Sequence, residues 1–120
     1  MMRAVLRGGV VDKSALREDY LDELLRVGRR PGYPTVARSV YASLPSFVAA
    51  RSRYSEVRAP VHLIYGEKDW SRTSDRQANK QLIPTAKFTQ VPNAGHLIAL
   101  ARPDATAALL RFTRRLEQFV

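Results

Sequence analysis

Hydrophobic residues recur at helical spacing through most of the first sixty residues of the chain. Between 12 and 27 this period predicts an amphipathic helix, and Gly28 is placed to end it in a left-handed conformation. After a short loop, Pro34 is well suited to be the first residue of a second helix, which Pro45 is expected to stop. A third, shorter helix is predicted over 46–53. The first half of the chain is therefore predicted to be mainly helical.

The hydrophobic pattern changes after Pro60. Residues 61–65 form a short, nearly continuous apolar run, which is typical of a central parallel strand buried on both faces. A polar surface helix is predicted over 72–82, and a second strand over 87–91 that lies nearer an edge of the sheet. The last helix, 103–119, has the clearest 3.6-residue period in the sequence and must pack against the sheet.

These elements predict the α/β fold class and a division of the chain into two parts. The segment 1–59 is a helical, cap-like part, and 60–120 is a β-α-β-α unit with parallel strands. The boundary lies at Arg58-Ala59-Pro60, where the helical pattern gives way to the first strand.

Two loops that follow the predicted strands carry the residues that could take part in catalysis. Gly66-Glu67-Lys68-Asp69-Trp70 follows the first strand, and Asn93-Ala94-Gly95-His96 follows the second. The carboxyl ends of parallel strands meet at one edge of a sheet, where ligands and catalytic groups gather. Neighbouring strands are roughly 4.8 Å apart, so Asp69 and His96 can reach hydrogen-bonding distance. In such a pair the carboxylate orients the imidazole and stabilises it when it takes a proton. His62, inside the strand, is expected to be a packed core histidine.

The segments PVHLIYGEKDW and VPNAGHLIALARPDA, followed by an amphipathic terminal helix, resemble the C-terminal portion of the α/β-hydrolase fold superfamily. The resemblance implies a partial α/β-hydrolase fold with the last two strands and the last helix. It also implies that Asp69 of the G-x-x-D motif is the triad acid and that His96 of the Gly-His pair is the base. The implied activity is hydrolysis of an ester, an epoxide or a related small molecule by a nucleophile-His-Asp triad, without a cofactor.

The helices before Pro60 resemble the lid that members of this family place over the active site. On this resemblance, Tyr33 and Tyr41 are candidate substrate-binding residues, together with Trp70 beside the acid. The alternatives are that aromatic residues at helical spacing belong to the core, and that Trp70 is a hydrophobic plug beside the acid loop.

The sequence departs from the family in lacking a nucleophile. Neither G-x-S-x-G nor the same elbow with Asp occurs, and Gly8-Gly9 lacks the histidine and the preceding strand of an oxyanion loop. Asp69 and His96 would then be half of a site, and the chain alone is expected to be inactive. It is interpreted as a fragment of a longer hydrolase, with a subunit completed by a separate N-terminal half and a small non-catalytic binding protein as the alternatives. A small-molecule substrate is expected only after completion by an N-terminal half.

Composition narrows the remaining function classes. The net charge of +9 suggests a basic module that binds nucleic acid or protein as the alternative function, but the charge is dispersed and no aromatic residues alternate with arginine, so we expect no nucleic-acid partner. With no cysteine and two histidines, a metal site is not expected. No apolar run is long enough for a membrane span, so a cytoplasmic protein without a membrane partner is predicted. The exposed edge of the sheet is expected to favour self-association.

Overall fold

The computed structural model describes the backbone of residues 2–117 and the side chains of residues 3–111. The described chain contains both helices and strands. The helices, in chain order, are α1 Met2–Gly8, α2 Glu18–Gly28, α3 Tyr33–Ala42, α4 Leu44–Ala49, α5 Thr73–Leu82, α6 Ile98–Ala101 and α7 Pro103–Glu117. The strands are β1 His62–Gly66 and β2 Lys87–Val91, and two 3-10 segments lie at Lys13–Ala15 and Ala50–Glu56.

The helix predicted over 12–27 begins later than its hydrophobic period indicated. The Asp12 side chain accepts hydrogen bonds from the backbone N–H and the hydroxyl of Ser14, at 2.9 and 2.7 Å. This local turn competes with an α-helix, so the chain forms a single 3-10 turn and α2 starts only at Glu18. The helix does end at Gly28, but not in the left-handed region, since Arg29 caps it in a right-handed conformation and the left-handed glycine is Gly32, with φ of 84°.

Pro45 begins a helix instead of only stopping one. α3 ends at Ala42, and α4 follows almost directly with Pro45 in its first turn, where the missing backbone N–H would have no intrahelical partner. Pro34 has the same position in α3. The third predicted helix, 46–53, is therefore divided between α4 and the 3-10 segment that follows it. α1 and α6 were not predicted at all.

The two strands form a parallel pair, as predicted. Residue His62 is paired with Lys87 and Gly66 with Val91, so β1 lies one residue later than the predicted 61–65. Among the described residues the sheet has two strands only, and the side chains of β1 from His62 to Tyr65 are half-buried. The prediction of a central strand buried on both faces is therefore not met within this part of the chain, because β2 is the only neighbour that β1 has there.

Helices lie on both faces of the pair. On one face the rings of Tyr65 and Phe88 are 5.8 Å apart, and α5 covers them with Lys80, whose ammonium lies 5.2 Å from the centre of the Phe88 ring. On the other face, Ile64 and Leu109 of α7 line one cavity. The last predicted helix begins at Pro103, as expected; residues 118–119 of its predicted range lie outside the described residues.

A buried cluster connects the N-terminal helices to the segment after His96. Val10, Leu16 and Leu21 are its most buried members, and Leu97 and Leu100 pack against them. Burial of side chains of this size contributes roughly 1.5 to 3 kcal/mol each to the free energy of folding. The cluster therefore holds the N-terminal segment against the loop that carries the histidine.

α3 and α4 project from the rest of the described structure. Nearly every residue from Tyr33 to Ala49 is exposed, including large apolar side chains such as Phe47, which is 59% exposed. The other exposed apolar residues of this segment are Tyr33, Val36, Val40, Tyr41, Leu44 and Val48. So many exposed large apolar side chains within seventeen residues are unusual for the surface of a monomer. Within the described residues, no helix combines the length and the apolar character needed to cross a membrane.

Candidate active site

The loops after β1 and β2 are joined by backbone hydrogen bonds. The Glu67 N–H donates to the Val91 carbonyl and the Lys68 N–H to the Ala94 carbonyl, both at 2.9 Å. The Glu67 carboxylate accepts a further bond, at 2.9 Å, from the backbone N–H of Asn93. Glu67 is exposed, but it connects the acid loop to the histidine loop. The two loops therefore form one unit in which their side chains have a fixed relation.

Two glycines allow these loops to approach each other. A Cβ atom at Gly66 would stand 2.2 Å from the carbonyl oxygen of Gly95 and 2.3 Å from that of Ala94. A Cβ atom at Gly95 would stand 2.5 Å from the carbonyl oxygen of Gly9. Neither glycine has a positive φ, so they are needed here for close backbone contact and not for a left-handed turn. The left-handed residue of the histidine loop is Asn93, at φ 52°.

Asp69 and His96 meet at the carboxyl ends of the two strands. His96 Nδ1 lies 3.1 Å from Oδ2 and 3.2 Å from Oδ1 of Asp69. The carboxylate side chain is only 4% exposed, whereas the imidazole is 45% exposed. An ionised carboxylate only accepts, so the Nδ1–H donates to it, and the neutral ring then carries its lone pair on Nε2. The sequence prediction that these two side chains come together is confirmed.

The Asp69 carboxylate is held in its ionised form. Burial by itself raises the pKa of this group, but hydrogen bonds from the backbone and the side chain of Ser71 and from His96 outweigh burial and lower the pKa below its ordinary value. The Ser71 N–H donates to Oδ1 at 2.7 Å. A buried, deprotonated acid facing Nδ1 is what keeps a histidine in one tautomer and one orientation.

Trp70 stacks on the histidine. Its ring and the His96 imidazole have centroids 4.5 Å apart and planes inclined by 24°. The indole also lies near the end of α1 and the residue after it: a Cβ on Gly8 would lie 3.7 Å from the ring, and one on Gly9 would lie 3.2 Å from it. Trp70 is still 50% exposed. It therefore supports the imidazole and leaves part of its own surface open.

A hydrophobic cavity of about 330 Å³ borders the histidine. Its lining consists of the imidazole and mostly apolar side chains from β1, α6 and α7: Ile64, His96, Leu97, Ile98, Ala99, Leu100, Thr106 and Leu109. Trp70 is absent from this lining. An apolar depression beside a basic nitrogen is suited to an uncharged organic group.

The two tyrosines named from the sequence lie elsewhere. Tyr33 and Tyr41 belong to α3, with 37% and 68% of their surface exposed. Within residues 3–111, no hydrogen bond or ring contact joins either tyrosine to Asp69, Trp70 or His96, and neither lines the cavity beside the histidine.

His62 is placed as predicted, inside the strand and apart from the loop edge. Its Nε2 lies 2.8 Å from the hydroxyl oxygen of Thr89, and the side chain is half-buried. Burial, with a smaller contribution from Lys87, lowers the pKa of His62. The group is therefore a structural histidine of the sheet.

Three contributors to the site were missed by the sequence reasoning. Ser71 bonds the acid, Arg76 bonds the Ser71 backbone, and the Gly9 carbonyl accepts the Leu97 N–H at 2.8 Å. A serine two residues after an aspartate is a recognisable turn signal. No feature of the sequence indicated Arg76, because an arginine in a polar helix is expected to face the solvent. Gly9 could not be predicted because it is distant in sequence from both loops.

The arrangement is suited to moving a proton. With Nδ1 bonded to Asp69, Nε2 of His96 is the atom that can take a proton from a nucleophile or a water molecule. Among the described side chains no hydroxyl is bonded to Nε2, since the hydrogen bonds of this imidazole run from Nδ1 to Asp69. Within the part of the chain that the structure describes, Asp69 and His96 are therefore paired without a hydroxyl group bonded to Nε2.

Comparison of the chain with models of protein families, and with curated proteins, found no match.

Proposed function

We propose that this chain is the C-terminal part of an α/β-hydrolase-type enzyme, in which Asp69 is the acid and His96 the base of a nucleophile-His-Asp triad. The observation that carries the proposal is the contact of 3.1 Å between Nδ1 of His96 and Oδ2 of Asp69, made where two adjacent parallel strands end. The reaction is hydrolysis of an uncharged small molecule such as an ester or an epoxide. Three features of the described residues support this proposal.

The first feature is the electrostatic state of the pair. Hydrogen bonds from Ser71 and His96 lower the pKa of Asp69, so the acid is ionised near neutral pH and can stabilise an imidazolium. The second is the apolar cavity beside the imidazole, which suits an uncharged substrate group better than a charged one.

The third feature is the amount of uncovered apolar surface. The strand pair has one unpaired edge on β1, and α3 and α4 expose the apolar side chains that a lid would turn towards a pocket. We propose that an N-terminal half, which carries the nucleophile on its strand-to-helix turn, covers these surfaces. This half belongs to the same polypeptide in a longer gene product; a separate subunit is the alternative arrangement. Trp70, Tyr33 and Tyr41 then line the substrate site.

The test starts from the coding DNA upstream of Met1. We expect it to encode G-x-S-x-G or the same elbow with Asp, in frame or one frame shift away, and the joined protein to hydrolyse a p-nitrophenyl ester or an epoxide. His96→Ala and Asp69→Asn should each lower kcat by on the order of 10²-fold to 10⁴-fold. His62→Gln is the matched control, because it replaces the other histidine, and it should retain the rate of the joined protein.

The 120-residue chain by itself should show no ester turnover above that of its own His96→Ala variant. Turnover that the variant abolishes would mean that a nucleophile lies within this chain. Upstream DNA without an elbow, together with an inactive chain, would contradict the proposal that both halves belong to one polypeptide, and it would leave a separate subunit or a non-catalytic binding protein.

A further inference from the structure

Arg76 is a buried cation in the first turns of α5, where the whole residue is 6% exposed. Among the described residues it is the one basic residue that is fully buried. Arginine is almost never buried to this degree unless it is paired. The question is therefore what holds the guanidinium in this position.

Its hydrogen bonds go to the loop that carries the acid and to the first residue of α5. Nη1 donates to the backbone carbonyl of Ser71 at 2.5 Å, to the Ser71 hydroxyl oxygen at 3.2 Å and to the Asp69 carbonyl at 3.4 Å. Nη2 donates to the Thr73 hydroxyl oxygen at 3.0 Å. The guanidinium carbon lies 6.0 Å from the centre of the Tyr65 ring. The two ends of the fork thus bond two different points of residues 69–73.

This bonding is unusual for a stabilising ion pair. None of these acceptors is a carboxylate, and burying a charge without an anionic partner costs free energy that only strong hydrogen bonds offset. An apolar side chain would fill the same space on Tyr65 at lower cost. Only the planar guanidinium group holds two hydrogen-bond acceptors at a fixed distance from each other, and this distance fixes the path of the loop.

We propose that Arg76 is a positioning residue for the Asp69 carboxylate, acting through Ser71. By holding the Ser71 carbonyl and hydroxyl, it keeps the Ser71 N–H on Oδ1 of Asp69, 2.7 Å away, and so sets the carboxylate at Nδ1 of His96. The inference rests on the proposed acid role of Asp69 for its functional meaning, but the structural link can be tested without any activity.

The groups that face the carboxylate make this link measurable. His96 faces it from the loop after β2 and Ser71 faces it from its own loop, whereas the Arg76 cation, from α5, reaches the backbone carbonyl of Asp69 and not the carboxylate. Both the backbone and the side chain of Ser71 contribute to lowering the pKa of Asp69. If Arg76 positions Ser71, its removal should weaken these bonds and raise the pKa of Asp69.

The experiment is an NMR titration of the side-chain carboxyl carbon of Asp69 in the 120-residue chain. In Arg76→Met we expect the pKa of Asp69 to rise by on the order of one unit. Arg76→Lys should give an intermediate rise, because a single ammonium cannot bond Ser71 and Thr73 in the fixed geometry of the fork. Lys80→Met is the matched control, since it removes another cation from α5 that lies over Phe88 instead of the loop.

The carboxyl carbon of Asp104, which is paired with Arg102, serves as the internal reference, because general unfolding would shift its titration as well. Equal pKa values for Asp69 in the wild type and in a folded Arg76→Met chain would overturn the proposal. A wild-type value in Arg76→Lys would also overturn it, because charge alone would then be sufficient. If Arg76→Met does not fold, Thr73→Val removes one of the bonded hydroxyls and should raise the pKa by a smaller amount, whereas no change there would overturn the proposal.

Failure of the proposed hydrolase function would give a different result. The pKa of Asp69 would still rise in Arg76→Met, while His96→Ala would leave the activity of the joined protein unchanged. The two proposals can therefore fail independently.

Discussion

At the scale of single residues, the site depends on the absence of side chains as much as on their presence. Gly66 and Gly95 let three backbone segments approach to distances that any Cβ would prevent. Because the acid loop and the histidine loop share this contact, small backbone shifts there change the separation of Asp69 and His96. Asp69 also depends on Ser71, whose bonds keep the carboxylate ionised in a buried place.

The change Gly66→Ala tests this close approach. The added methyl group would stand 2.2 Å and 2.3 Å from two backbone oxygens, so the loops must separate, at a cost of about 1 to 3 kcal/mol in the free energy of unfolding. Gly8→Ala is the control: its methyl group would be 3.7 Å from Trp70, in ordinary contact, and alanine favours helix α1. Urea unfolding followed by circular dichroism measures both. Equal stability of the two variants would mean that the loops are farther apart than described.

At the scale of elements, the helices of the first half differ in how they are held. α2 buries Leu21, which is 1% exposed, and it carries exposed ion pairs that join Arg3 of α1 to Glu18 and Asp22 at 2.7 Å. Exposed pairs of this kind contribute little each, so the buried side chains determine the stability of this part. α3 and α4 have no comparable buried side, since none of their residues is fully buried.

This contrast gives a paired expectation for Leu21→Ala and Phe47→Ala. Leu21→Ala should lower the free energy of unfolding by about 2 to 5 kcal/mol, because it leaves a cavity in the buried cluster. Phe47→Ala, at a side chain that is 59% exposed, should change it by no more than about 0.5 kcal/mol. Thermal or urea unfolding of the two variants beside the wild type is the measurement. A large cost for Phe47→Ala would show that α4 is covered in solution, for example by a second copy of the chain.

At the scale of the whole molecule, the positive charge is dispersed. Several arginines are paired with carboxylates close to them in sequence: Arg17 with Asp19, Arg26 with Glu23, Arg53 with Glu56 and Arg102 with Asp104. Between Glu23 and Glu56 there is no acidic residue, and the arginines of this stretch alternate with exposed apolar side chains such as Val36, Tyr41 and Phe47. A nucleic-acid interface instead concentrates cations along a continuous strip.

We therefore expect no saturable binding of duplex DNA by the purified chain at about 10 µM protein and about 50 mM salt, conditions that favour phosphate contacts. Fluorescence anisotropy of a labelled duplex is the measurement, and a basic protein of similar size that is known to bind DNA shows that the assay responds. Binding that weakens steeply as salt is raised would contradict the expectation and support the basic binding module.

The sequence by itself determined the second half of the molecule in outline. An apolar run bounded by Pro60 and Gly66 predicted the first strand, and weak alternation with β-forming residues over 87–91 predicted the second. The carboxyl ends of adjacent parallel strands lie at the same edge of the sheet, and Asp69 and His96 meet there. These elements are recognised from hydrophobic patterns with periods of two or 3.6 residues, and such patterns depend only on residues that are close together in the sequence.

Only the tertiary structure decided what surrounds that pair. The start of α2 depends on the two hydrogen bonds that the Asp12 side chain accepts from Ser14, and α1 has no strong hydrophobic period of its own. The contacts of Gly9 with Leu97 and of Arg76 with Ser71 depend on how distant or polar segments come together in space. Such contacts arise from packing and from the need to bond every buried polar group, and neither is recorded in the local order of residues.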